Sequence, residues 1–407
     1  MSAEPLADTS QQLTLTTFAE LWDGLRQRDL RQRLYDAGGV VMKDALLDLH
    51  GDAHKLRRRV ENRLFRRGTF RWWESELVPQ IIDEAFAPSL AAGRADLVQL
   101  GYRTTMNLTA RVAGADHPTG SVEEPDALQE FAVKFSEGAT LVHSTRDPAE
   151  VRAEVQDALR RFDEMFFAPS YDRRVALAAD ASLSPDDLPK DVLMAMIVNA
   201  EELGVHREVM LREVAFYLQA GSHSTSDAFT HAADEILRWA QRNPELADRL
   251  EDDLFVQRCV HEVFRLHPAS PVAERRALAD VALRDGRVVP EGSVVVMDIQ
   301  AANRDVEVYG ADAGEFNPLR TVPAGVPPWG HTFGGGMHAC IGMELDGGTV
   351  PKDDGAGPGP DHVLGTVPLM VRTLLRHGVR PDPDSPPTKD LHSKRDHFGS
   401  YPVLFDR

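Results

Sequence analysis

The stretch HTFGGGMHACIG, residues 331–342, holds one of only two cysteines in a chain of 407 residues. Three consecutive glycines lead into it, His338 stands two positions before Cys340, and Gly342 stands two positions after. Cys340 has no cysteine partner at the spacing of a zinc finger, which disfavours a structural zinc site. A nucleophilic thiol would need a base. His338 is the nearest in sequence, but residues two apart do not face each other on a helix.

A third use fits better. A cysteine thiolate can ligate heme iron and push electron density toward bound dioxygen. Backbone N–H groups at a helix start would keep the sulfur anionic. Gly334, Gly335 and Gly336 would let the chain turn tightly against a flat macrocycle, and Gly342 would leave room just past the ligand. FGGGMHACIG, 333–342, resembles the heme-binding loop of the cytochrome P450 superfamily, Phe-Gly-x-Gly-x-His/Arg-x-Cys-x-Gly, at each fixed position. The resemblance implies heme b as cofactor, Cys340 as its axial ligand, and Phe333 and Gly342 beside it. It also implies a single mainly α domain with minor β, a long central distal helix, and the cysteinate loop on the proximal side.

Other segments follow the same family order. HEVFRLHP, 261–268, carries Glu262 and Arg265 three apart on one helix face, and FNPLR, 316–320, ends in Arg320. In the resembled family such a Glu and Arg are buried and bond an Arg from the loop before the cysteine. Four candidates match the cations that answer the two heme propionates: His54 and Arg58, one helical turn apart; Arg276, with Arg275 as the less favoured neighbour; and His331.

The stretch 208–241 reads as one helical pattern of more than 30 residues, long enough to cross a domain. Where the family's oxygen-binding helix has Ala/Gly-Gly-x-Asp/Glu-Thr, this chain has Ala220-Gly221-Ser222-His223-Ser224, then Thr225. The resemblance implies that the two small residues open space for dioxygen. The acid position holds His223 and the alcohol position Ser224, so the expected proton relay draws on Ser224, Thr225 and His223, a residue that titrates near neutrality. Phe216, Val272 and Phe398 are the expected substrate contacts, which favours a small, largely apolar molecule.

Net charge is −19, which argues against nucleic-acid partners, yet HKLRRRVENRLFRRGTFR, 54–71, is strongly basic with helical spacing. In the resembled fold this helix lies on the proximal side, with Arg57, Arg59, Arg63, Arg66 and Arg67 partly facing solvent, and would dock an acidic ferredoxin. No run of about 18 apolar residues encodes a membrane span. The first residues lack the marks of a signal peptide, and two cysteines make no disulfide scaffold, so a cytoplasmic location is expected.

Residues 1–12 read as disordered, and FAELWDGLRQRDLRQRLYDAG, 18–38, as one amphipathic helix. The portion ahead of His54 is shorter than the family's, so the pocket roof is expected to be open or supplied by another segment. DGGTVPKDDGAGPGPDH, 346–362, interrupts the helix that should follow Cys340. It reads as a tolerated surface insertion, with a docking element as the alternative. Residues 391–405 read as a hairpin. The reading that follows is a heme-thiolate monooxygenase, drawing electrons from NAD(P)H through a partner, in secondary-metabolite tailoring. Two alternatives stand beside it: oxidative coupling, desaturation or peroxide-driven oxidation using His223 and Ser224, and a heme protein that binds a gas or ligand without turnover.

Overall fold

A helix of 36 residues, Arg207–Arg242, runs through the centre of the protein. The computed structural model describes residues 11–121, 123–351 and 359–406. The two ends of the central helix lie in two different cores. Its first half contributes Met210, Val214, Phe216 and Leu218 to one, and its second half contributes Ala228, Phe229, Ala232 and Ile236 to the other. Between them, Gln219 to Gly221 and His223 to Thr225 border a cavity instead. Apolar periodicity thus anchors both ends of the helix and leaves its middle free for chemistry.

The central helix crosses Leu97–Ala113 at close range, because small residues meet at the crossing. A Cβ on Gly101 would fall 2.5 Å from Ser226 Oγ, and one on Gly221 would fall 2.9 Å from Thr109. Gly221 therefore accommodates the neighbouring helix. The helix runs without a break through Ala220 and Gly221, so the expected local opening is absent.

The main sheet has four strands in the order Gln12–Leu15, Val294–Asp298, Val272–Ala277, Leu30–Gln32, the first pair parallel and the rest antiparallel. Residues 12–32 thus supply the two edge strands of this sheet, so the segment ahead of His54 is built into it. The disorder expected for 1–12 falls outside the described residues up to residue 10, and Gln12 is already in a strand. The helix expected over 18–38 is only Phe18–Gly24. Its capping box of Thr17 and Glu20 fixes the start, and pairing of Leu30–Gln32 with Val272–Ala277 overrides the helical pattern further on.

The basic segment is two helices, Gly51–Glu61 and Arg67–Trp72. The tail is not a hairpin on itself. Phe398–Ser400 pairs with Thr388–Lys389, while Pro402–Leu404 joins Arg94–Asp96 and Arg380–Pro381. After Cys340 the chain makes a single helical turn, Met343–Asp346, and helix resumes at Thr366–Arg376. The Gln257 side-chain amide reaches the carbonyls of Gly347, Thr349, Val363 and Leu364, at 2.9–3.2 Å, and Thr349 N–H donates to Val363 O at 2.8 Å. The intervening stretch is therefore closed at its neck; residues 352–358 of it lie outside the described residues. Among the described residues no helix is long and apolar enough to cross a membrane.

Candidate functional site

Gly334 and Gly336 carry left-handed backbone, φ 67° and 63°. A Cβ on Gly336 would fall 2.3 Å from the carbonyl oxygen of Leu25, so only glycine fits. The turn they make returns Cys340 N–H to Phe333 O at 2.9 Å. The Cys340 sulfur then opens on a cavity of about 340 Å³ between the cysteine segment and the central helix. Burial pushes the thiol up to about 11, the Gly342 amide and Arg58 oppose this, and Asp346 adds to it. The expected stabilisation by a helix start is thus reduced to one amide, since the helix that follows is one turn long. Near neutral pH the thiol therefore keeps its proton. A Cβ on Gly342 would meet nothing within 4 Å, so space lies open past the sulfur.

Imidazoles and guanidinium groups rim the same cavity. His54, Arg58, Arg275 and His338 all line it. The His54 and His338 rings meet edge to face at 4.5 Å. Both ring nitrogens of His338 are buried with no hydrogen-bond partner among the described residues. Burial, with nearby cations, pushes His54 down to about 4 and His338 to about 2, so both are neutral near pH 7. Arg58 donates to the Ala339 carbonyl at 2.8 Å and to Asn62 Oδ1 at 2.9 Å. Among the described residues neither Arg58 nor Arg275 has a carboxylate within ion-pair distance.

Two expected propionate partners are placed elsewhere. Strand alternation puts Arg275 and Arg276 on opposite faces. Arg275 faces the cavity, beside Gln32 and the Glu274 carbonyl, while Arg276 donates to Gly292 O at 3.2 Å. His331 is tied to the Phe18 carbonyl at 2.9 Å, its ring 4.2 Å from that of Phe18, and it does not line the cavity. His338 was not among the candidates. Its signal was in the sequence, as the histidine two before Cys340. Unpartnered imidazole nitrogens, guanidinium groups without carboxylates and open space beside a thiol fit a porphyrin carrying two propionates.

On the opposite wall, Ala220, Gly221, His223, Ser224 and Thr225 border the cavity. Ser224 Oγ donates back to the Ala220 carbonyl at 2.6 Å, so its hydroxyl is spent within the helix. His223 Nδ1 shares a hydrogen bond with the Tyr102 hydroxyl, and its buried Nε2 has no partner among the described residues. Burial holds His223 well below the usual histidine range, with Arg395 adding to the effect, so it does not titrate near neutrality. Thr225 Oγ1 donates to Asp346 Oδ1 at 2.8 Å, and burial pushes that carboxyl up to about 7. An acid and an alcohol do meet here, but the acid comes from the segment after Cys340, a signal no local motif contains.

Phe216, Val272 and Phe333 line the cavity, whereas Phe398 packs against His231 and Tyr401 in the core. Below the cysteine loop, Arg265 makes two bonds to the Glu262 carboxylate, 2.7 and 2.8 Å, and Arg320 Nε reaches Glu262 Oε1 at 3.2 Å. All three are buried, and Arg265 also donates to the carbonyls of Asn303 and Ala313. Of the basic segment, Arg57 does not face solvent: it is buried against Glu213 at 2.5 Å. Arg59, Arg63, Arg66 and Arg67 are exposed, with Arg59 paired to Glu202 and Arg67 to Glu344.

Residues 212–345 match the family model described as cytochrome P450. The cytochrome P450 family protein EryCII of Saccharopolyspora erythraea is 36% identical over 141 residues, 34% of this chain and 34% of that protein. The matched region spans well under half the length of this and other curated relatives. The backbone is similar over nearly its whole length to the crystal structure of CalO2, with TM-score 0.74, 20% identity, and coverage of 97% of this chain and 90% of that one. It is similar also to P450BioI, solved in complex with an acyl carrier protein bearing hexadec-9Z-enoic acid, with TM-score 0.74, 15% identity, and coverage of 97% and 92%. At these identities the likeness carries the fold, and both neighbours have it in common with this chain.

Proposed function

We propose that this chain, whose residues 212–345 match the cytochrome P450 family model, is a heme-thiolate monooxygenase acting on a small, largely apolar molecule. The observation that carries this reading is the Cys340 sulfur opening on a cavity rimmed by His54, His338, Arg58 and Arg275, none of which is paired with a carboxylate among the described residues. Cys340 would ligate the iron of heme b, and the four rim residues would hold its propionates. Bound there, heme supplies one-electron and dioxygen chemistry, with the thiolate as electron donor to the metal.

The chain's own residues supply protons and position. Thr225 Oγ1 and Asp346 form the acid–alcohol pair, and Asp346 can hold a proton on its carboxyl near neutral pH because it is buried. Phe216 and Val272 exclude water on the substrate side. Glu262, Arg265 and Arg320 hold the turn beneath the cysteine. Electrons would come from NAD(P)H through an acidic ferredoxin docking on Arg59, Arg63, Arg66 and Arg67, in the cytoplasm. Secondary-metabolite tailoring is the role we assign by analogy with the fold neighbours.

A second reading, oxidative coupling or desaturation using His223 and Ser224, has less support. His223 and Ser224, at the positions where the family places its acid and alcohol, are both committed to internal partners. The test is spectroscopic. The ferrous–CO form should show the red-shifted Soret band of thiolate ligation, and Cys340→Ala should abolish it. A wild-type band at the position of a nitrogen-ligated heme defeats the reading.

A further inference from the structure

Three guanidinium groups face the cavity: Arg58, Arg275 and Arg395. They are not together. Arg58 and Arg275 both act electrostatically on His338, at the cysteine end. Arg395 acts on His223 and Tyr102, against the central helix. Among the described residues, none of the three has a carboxylate within ion-pair distance.

The charges can be counted on the heme reading, on which this inference rests. The ferric ion, the porphyrin dianion and the thiolate cancel one another. Two propionates answer two guanidinium groups, and Arg58 and Arg275 are the pair at that end. Arg395 remains as a cation with no ion-pair partner among the described residues in a mostly apolar cavity, where an unpaired charge is costly. Asp227 and Arg395 act on each other through space, but they make no ion pair. That carboxyl lies 3.3 Å from His397 and 3.6 Å from His231, and burial pushes it up to about 8. The neighbouring Asp396 is held by Lys389 at 2.7 Å.

The hydrogen bonds of Arg395 point the same way. Its donors reach the Ala269 carbonyl at 3.2 Å, Ser393 Oγ at 3.4 Å and Thr140 Oγ1 at 3.5 Å. All are neutral acceptors at or beyond the long end of the usual range, whereas a guanidinium has five N–H donors in a planar fork. That fork matches a carboxylate in two parallel bonds.

We propose that Arg395 is a substrate-anchoring residue, and that the molecule this cavity takes is a monocarboxylate with an apolar body. The carboxylate sits on the Arg395 fork, and the body extends along Phe216 and Val272 over the cysteine end. The site selects acids against their neutral derivatives.

The test measures binding to the heme-loaded protein by calorimetry, without turnover. Decanoate, hydrocinnamate and indolepropionate are each compared with the corresponding primary amide. At least one acid should bind about ten- to a hundredfold tighter than its amide. Arg395→Gln should remove that gap, and Arg395→Lys should restore part of it. No acid outbinding its amide, or a gap that survives in Arg395→Gln, overturns the proposal. So does loss of heme uptake in Arg395→Gln with Arg395→Lys loaded normally, because Arg395 then holds a propionate. The wild-type ferrous–CO spectrum separates the two failures: a thiolate band with no acid preference defeats the anchor alone, and a missing band defeats the heme-thiolate reading and the charge count with it.

Discussion

Thr225 on the central helix and Asp346 after the cysteine segment are 121 positions apart in sequence and joined by a 2.8 Å hydrogen bond. The bond ties the two walls of the cavity together. It also sets the hydroxyl that meets a carboxyl at Thr225, one residue beyond Ser224, the position that sequence order indicates.

Thr225→Val removes the donor and leaves a buried carboxyl without this partner. The expected loss is about 1–3 kcal/mol of unfolding free energy, read from denaturant titration. Under the proposed function, the same variant diverts reductant from product to peroxide and water, read by comparing reductant consumed with product formed.

Ser224→Ala should do neither. The Ser224 hydroxyl bonds its own helix at Ala220 O, 2.6 Å away, and such back-bonding contributes little to helix stability. The variant is expected within about 0.5 kcal/mol of wild type, with coupling unchanged. A marked uncoupling would return the alcohol role to Ser224.

Asp346 imposes a pH dependence whose sign follows from linkage. Its carboxyl holds a proton up to about pH 7 in the folded protein, against a reference value of 3.8. The folded state therefore binds more protons than the unfolded state between those values, and stability from this group falls as pH rises through the window. Asp346→Asn lacks the effect. The stability of the variant relative to wild type should climb from about pH 4 to about pH 7 and then level off, by a total on the order of 4 kcal/mol. A difference independent of pH would show that the carboxyl ionises normally.

Arg57 belongs to the interior. It pairs with Glu213, whose oxygens also accept from Leu46 N–H at 3.1 Å, and Glu61 lies alongside, bonded to Tyr217. Arg57→Ala strands two buried carboxyl groups and should cost about 3–5 kcal/mol, measured by unfolding. Arg57→Ala with Glu213→Leu should recover part of that loss.

Arg63 and Arg66 are exposed, and neither has a carboxylate within ion-pair distance among the described residues. Replacing both by Glu should slow reduction by an acidic ferredoxin at low ionic strength, with the deficit shrinking as salt is added. Stopped-flow reduction rates across a salt series check this. Equal rates at low salt place docking on another face.

Legibility followed sequence distance. The helix-dominated architecture with small sheets was readable because the long apolar period of 208–241 spans one continuous element. The cysteine turn was readable because glycine, histidine and cysteine lie within ten positions of one another. What depends on partners far along the chain was not. Arg275 and Arg276 exchange places with a one-residue change of strand parity, which is set by pairing with Leu30–Gln32. The bond between Thr225 and Asp346 needs two elements packed face to face. Residues 18–38 have a helical period that sheet pairing overrides, and the tail carries two strands claimed by two different sheets. The solvent-facing role expected of Arg57 failed because its partner, Glu213, sits on another helix.

The clasp that Gln257 makes across Gly347, Thr349, Val363 and Leu364 has an engineering consequence. Chain grafted between Thr349 and Val363 would leave and rejoin the protein at nearly one point, so its bulk would exert little leverage on the sulfur. Asp361, beside that junction, contacts Arg71 on the cationic face at 2.7 Å. Under the proposed function, a fused electron-carrier module would therefore emerge next to the surface proposed to dock it, making this junction a natural place to build a self-contained catalyst.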